Sequence, residues 1–241
     1  MAVLIKWMPA VAAAVALADC GGGRDAGAQL PPEPAPATIA APRPPAGTAA
    51  PSPKEATDPR PVIAAFGDSL SAGFGLDPGQ SYPDDLQRLV DGAGFRYRVV
   101  NLGVSGDTTT DGVERLPSVL ALKPAIVILE FGGNDGLRGQ PVTSAKQNMA
   151  VMIQALQKVG AKVVLAGMTL PRNYGPDYIH SFEQMYVELA NEYHLVRIPF
   201  LLEGVGGVAS LTQPDGLHPT ARGARIVAGT VMKYVKPLLN G

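Results

Sequence analysis

Beyond residue 61 the apolar positions fall into two rhythms, and each predicts a different element. Short, mostly apolar runs occupy residues 62–66, 97–100, 125–131, 162–166 and 195–198. Runs of this length without polar alternation predict strands buried on both faces. Between them, apolar residues recur every three to four positions over residues 84–90, 113–122, 142–159, 182–192 and 221–235, which predicts amphipathic helices. Leu86, Leu89 and Val90 share a side of the first, and Met149, Met152, Ile153 and Leu156 form the inner face of the third. Regular alternation of strand and helix predicts a parallel sheet covered by helices on both faces, one doubly wound α/β domain over residues 61–241. No internal repeat is present.

The first sixty residues follow neither rhythm. Residues 1–8 carry one charge, Lys6, residues 9–18 are a short apolar run, and small residues follow. That pattern predicts an export signal over residues 1–20, and the run is too short to cross a bilayer as a helix. Two processing routes compete. Ala16-Leu17-Ala18 fits cleavage by small-residue spacing, which would leave Asp19 first. Leu17-Ala18-Asp19-Cys20 resembles a lipoprotein box in which Cys20 would be acylated, with Asp19 departing from it. Either route leads to the periplasm, soluble or lipid-anchored. Residues 31–61 then hold eleven of the 23 prolines, and no aromatic residue separates Trp7 from Phe66. Such a stretch cannot bury enough apolar area to offset its ordering entropy, so residues 21–60 are expected to be a disordered, semi-extended spacer.

Charge narrows the chemistry. Twenty basic and 21 acidic residues leave a net charge of −1, which gives no electrostatic case for nucleic-acid binding. One cysteine, Cys20, excludes an intrachain disulfide, and His180, His194 and His218 lack metal-ligand spacing. No metal or cofactor is expected, the chain is expected to act as a monomer, and catalysis would rest on oxygen nucleophiles and carboxylates.

In open parallel sheets ligands bind beyond the carboxyl ends of the strands. Four glycine-bearing polar turns lie there: Gly67-Asp68-Ser69-Leu70-Ser71, Ser105-Gly106-Asp107-Thr108, Gly132-Gly133-Asn134-Asp135 and, before the last helix, Asp215-Gly216-Leu217-His218-Pro219. Each alone reads as a helix cap or tight turn. Together, in this order at strand ends, they read as one site. These four segments resemble the conserved blocks of the GDSL, or SGNH, hydrolase family, and the similarity spans about residues 62–238. The nearest subgroup is that of bacterial acyl-CoA thioesterase I, lysophospholipase and arylesterase. Leu170-Pro171-Arg172-Asn173-Tyr174-Gly175 also resembles the subgroup, with no evident catalytic role.

The resemblance implies a three-layer α/β/α sandwich with a flavodoxin-like five-stranded sheet. It also implies hydrolysis of carboxylic esters or thioesters through an acyl-serine. Ser69 would attack the carbonyl, His218 would take its proton, and Asp215 would hold the imidazole in the productive tautomer. The oxyanion donors it implies are the N–H groups of Ser69 and Gly106 and the Asn134 amide. Asp68 is expected to be structural, bonding nearby N–H groups. Small-molecule or lipid esters are the expected partners. A carbohydrate O-acetyl esterase and a non-catalytic lipid-binding module remain as alternatives.

Overall fold

A computed structural model describes residues 58–240 of the chain. The expected signal, Cys20 and all but three residues of the expected spacer lie outside the described residues. Of those three, Asp58, Pro59 and Arg60, the last makes a contact with the domain. The Arg60 guanidinium donates to the carbonyl of Tyr97 at 3.2 Å and pairs with Asp58 at 2.7 Å.

Five strands, β1 (Val62–Gly67), β2 (Arg98–Asn101), β3 (Ile126–Glu130), β4 (Lys162–Ala166) and β5 (Val196–Ile198), form one sheet in the order β2-β1-β3-β4-β5. Every pairing is parallel, and the order is the flavodoxin-like one. Successive side chains point to opposite faces of a strand, so each strand feeds two cores. Ala64, Phe66, Val127, Leu129, Val163 and Leu165 pack with Met149, Met152, Ile153, Leu156 and Tyr186 on one side. Ile63, Ala65, Ile126, Ile128, Val164 and Ala166 pack with Leu86, Val90, Val227 and Val231 on the other. The elements covering the first face are α3 (Thr109–Ala121), α5 (Val142–Lys158) and α6 (Pro176–Glu192), and those covering the second are α2 (Tyr82–Gly92) and α7 (Ala221–Val235). This is the expected three-layer arrangement. The nearly continuous apolar runs of β1, β3 and β4 are its sequence signature, because neither face of these strands meets water.

Departures are local. Leu89 is 40% exposed while Leu86 and Val90 are fully buried, since consecutive helix positions are turned about 100° apart. The sixth helix begins at Pro176, ahead of the expected 182, because Pro at its first position supplies helical φ and needs no N–H partner. Two short helices follow strands directly, α1 (Ser69–Ala72) after β1 and α4 (Gly133–Leu137) after β3. Both lie in segments whose composition predicts turns, being too short to show helical periodicity.

Candidate active site

The end of β1 aims the first functional side chain. At Gly67 the strand stops, and Asp68 caps the following turn by accepting from the N–H of Leu70 at 3.1 Å. Ser69 therefore starts a helical turn at the carboxyl edge of the sheet. No side chain could replace hydrogen at Gly67: a Cβ there would lie 2.3 Å from Oε2 of Glu130.

The loop before α7 brings up the base. Asp215 Oδ1 accepts the N–H of Leu217 at 2.9 Å and of His218 at 3.0 Å, so the turn is built around the carboxylate. Its Oδ2 lies 2.6 Å from His218 Nδ1, and His218 Nε2 lies 2.8 Å from Ser69 Oγ. A carboxylate can only accept, so Nδ1 carries the hydrogen, and in the neutral ring Nε2 is left to accept from the Ser69 hydroxyl. Partial burial pushes the Asp215 carboxyl up, but the hydrogen bonds from His218 and Leu217 outweigh it and leave it below its ordinary value. It is an ionised acceptor at neutral pH. Gln213 secures the loop, its amide donating to the carbonyls of Phe74 at 2.7 Å and Pro219 at 2.9 Å. The Phe74 ring lies against the imidazole at 4.6 Å between centroids.

Two of the three expected oxyanion donors are open. Among the described residues, neither the N–H of Ser69 nor that of Gly106 donates to a protein acceptor. Gly106 sits at φ +91°, a backbone region favouring glycine, with open space where a Cβ would be. Asn134 differs. Both Nδ2 hydrogens are engaged, one with Asp68 Oδ2 at 3.0 Å and one with the carbonyl of Asp107 at 2.8 Å. Asp68 is thus structural, as expected, but one of its partners is a side-chain amide. Burial pushes its carboxyl up to about 6 against the pull of the Leu70 N–H.

Beneath this surface lies a residue that no sequence motif marks. Glu130, fully buried at the end of β3, accepts from the N–H of Asp68 at 3.1 Å and the hydroxyl of Ser71 at 2.9 Å. Ser71 in turn accepts from Tyr82 Oη at 2.9 Å, its own hydrogen being used on Glu130. Burial, with Asp68 nearby, holds the Glu130 carboxyl well above the usual range, and its two accepted hydrogen bonds tie β3 to the Ser69 turn. A lone acid in an otherwise apolar strand was the signal for it. Arg115 on α3 was also missed; it donates to the carbonyl of Gly67 at 3.0 Å and pairs with Asp107 at 2.6 Å. No local pattern marks it, because its partners lie on other elements. His180 and His194 are exposed on and just after α6 and make no hydrogen bond to the site.

Ser69 and His218 open onto a cleft of about 710 Å³. Leu137, Met168, Leu170, Phe200, Leu202 and Leu217 supply most of its apolar wall.

Residues 65–226 match the model of the GDSL-like lipase/acylhydrolase family. The chain belongs to that family. It is 47% identical over 179 residues to esterase TesA of Pseudomonas aeruginosa, covering 74% of this chain and 89% of that protein. It is 35% identical over 180 residues to thioesterase 1/protease 1/lysophospholipase L1 of Escherichia coli, covering 74% and 85%. Among solved structures, TesA superimposes with a TM-score of 0.72 at 45% identity, covering 74% of this chain and 99% of that one. The SGNH-hydrolase family esterase AlinE4 does so with a TM-score of 0.63 at 41% identity, covering 76% and 98%.

Proposed function

We propose that the protein is a serine hydrolase of carboxylic esters and thioesters, with lysophospholipids and aryl esters among its substrates. The observation that carries the reading is the unbroken hydrogen-bond chain Asp215–His218–Ser69, opening onto an apolar cleft. As Ser69 Oγ bonds to the carbonyl carbon, its proton passes to His218 Nε2, and the carbonyl π pair becomes the oxyanion. Asp215 stabilises the imidazolium through Nδ1–H. The Ser69 and Gly106 N–H groups receive the oxyanion, and the Asn134 amide joins them by turning one hydrogen from its resting acceptor. Collapse breaks the bond to the alcohol or thiol, which leaves with the proton from His218. Water, deprotonated by the same imidazole, then cleaves the acyl-serine and restores the enzyme.

The apolar wall favours an acyl chain over the polar surface of a saccharide, which supports this reading above a carbohydrate esterase. A phosphonate ester probe tests it: one adduct per chain, at Ser69, and no turnover of a chromogenic ester by Ser69→Ala. Adduct at another serine, or activity surviving in Ser69→Ala, would overturn the assignment.

A further inference from the structure

Among residues lining the cleft, one cation stands out that the proposed chemistry leaves idle. Arg172 is the only lysine or arginine there. The only carboxylate in that lining, Asp68, is 3% exposed and engaged with the Leu70 N–H and the Asn134 amide. Other arginines near the site are used by the fold: Arg115 pairs with Asp107, and Arg138 donates to the carbonyl of Gly106 at 2.9 Å. Among the described residues, Arg172 forms no ion pair and its guanidinium makes no hydrogen bond. Among the described residues, neither of the nearest acids in sequence pairs with it. Glu183 accepts from the hydroxyl of Thr169, and Asp177 makes no ion pair.

The backbone under Arg172 is held rather than loose. It begins a 3-10 turn, Arg172–Tyr174, after Pro171. The Tyr174 hydroxyl donates to the carbonyl of Leu137 at 2.7 Å, tying this turn to the one that carries Asn134. Leu170 is 6% exposed and close against Gly136. An exposed guanidinium on a fixed turn, its donors unspent and without an ion pair among the described residues, suits a planar or tetrahedral oxyanion. Arginine binds carboxylate and phosphate through paired N–H donors, which lysine does not reproduce.

We propose that Arg172 binds an anionic group of the substrate, a phosphate or carboxylate remote from the scissile carbonyl, so that the preferred esters are anionic amphiphiles. This rests on the ester-hydrolase reading. The anion has two sources: a phosphate on the alcohol side, as in a lysolipid headgroup, or a carboxylate at the far end of the acyl chain. Two matched substrate pairs separate them. One is 1-acylglycerol 3-phosphate beside 1-acylglycerol; the other is a 4-nitrophenyl hemiester of a dicarboxylic acid beside the 4-nitrophenyl ester of the matching monocarboxylic acid.

In one pair the wild type should favour the anionic member, and the pair identifies the source. For that pair Arg172→Glu should lower the anionic-to-neutral ratio of kcat/KM by about tenfold or more, mainly through KM. Arg172→Lys should fall between, and added salt should weaken the wild-type preference. Ratios that Arg172→Glu leaves unchanged in both pairs, while neutral esters are still hydrolysed, would overturn the role of Arg172 alone. Failure of the wild type to hydrolyse any of the four esters would overturn the esterase reading and this inference together.

Discussion

Asn134→Ala should damage the protein twice, in ways that separate cleanly. In the resting site the amide supports Asp68 Oδ2 at 3.0 Å and the Asp107 carbonyl at 2.8 Å. In the transition state one of those hydrogens is proposed to serve the oxyanion. Loss of an oxyanion donor typically costs roughly 2.7–4 kcal/mol, so kcat should fall about 100- to 1000-fold. KM should hardly move, because the amide contributes to the transition state and not to the bound ester. The structural loss is independent: Asp68 is buried, so water does not replace the missing partner, and a hydrogen bond to a charged group contributes about 1.5–3 kcal/mol. For a domain of this size that corresponds to a Tm lower by about 3–12 °C. Steady-state kinetics on a chromogenic ester and a thermal melt, both at neutral pH, read the two effects. A raised KM with kcat intact would mean that Asn134 is a turn or binding residue only, and the oxyanion argument would fall.

Asp215→Asn should lower kcat by up to roughly ten-thousandfold with little change in KM, because the amide no longer enforces Nδ1–H or stabilises the cation; a loss under tenfold would remove Asp215 from the mechanism. Asp68 gives a stability test with a definite sign. Its native pKa, pushed up to about 6, lies above the ordinary 3.8, so the folded state binds more protons than the unfolded one between those values. Its contribution is therefore fully present below about pH 4 and is lost as pH rises through 6, by at most about 3 kcal/mol. Asp68→Asn cannot titrate, so urea unfolding from pH 4 to 7 should show wild-type stability falling relative to the variant; parallel pH dependences would refute the shift.

How much could be read in advance depended on how local each signal was. The strands β1, β3 and β4 were legible because they are apolar at nearly every position, a direct result of burial on both faces, and β2 and β5 from shorter apolar runs in the same alternation with helices. Ser69, Gly106, Asn134, Asp215 and His218 were legible because each sits in a short turn whose composition is itself unusual. The parts that join those turns were not. Arg115 contacts Gly67, Leu102 and Asp107, three positions that no spacing rule connects. Glu130 was visible as an acid in an apolar strand, yet its partners, Asp68 and Ser71, lie 62 and 59 positions away. The engagement of Asn134 by Asp68 was hidden for the same reason, at a separation of 66. Leu89 was misplaced because helical spacing defines a stripe but not where its edge meets solvent.

The two halves of the proposed triad have different origins in the chain. The carboxylate and imidazole meet within one four-residue turn, and the three hydrogen bonds the carboxylate accepts, from the N–H groups of Leu217 and His218 and from Nδ1, are internal to it. The hydroxyl arrives from 149 positions away, and only the assembled sheet sets it 2.8 Å from Nε2. A partly folded chain can thus hold a correctly paired Asp215 and His218 while having no nucleophile in reach. Catalytic activity in such a protein is a report on long-range order, and on refolding it should be among the last properties to return, after helical signal and compactness have recovered.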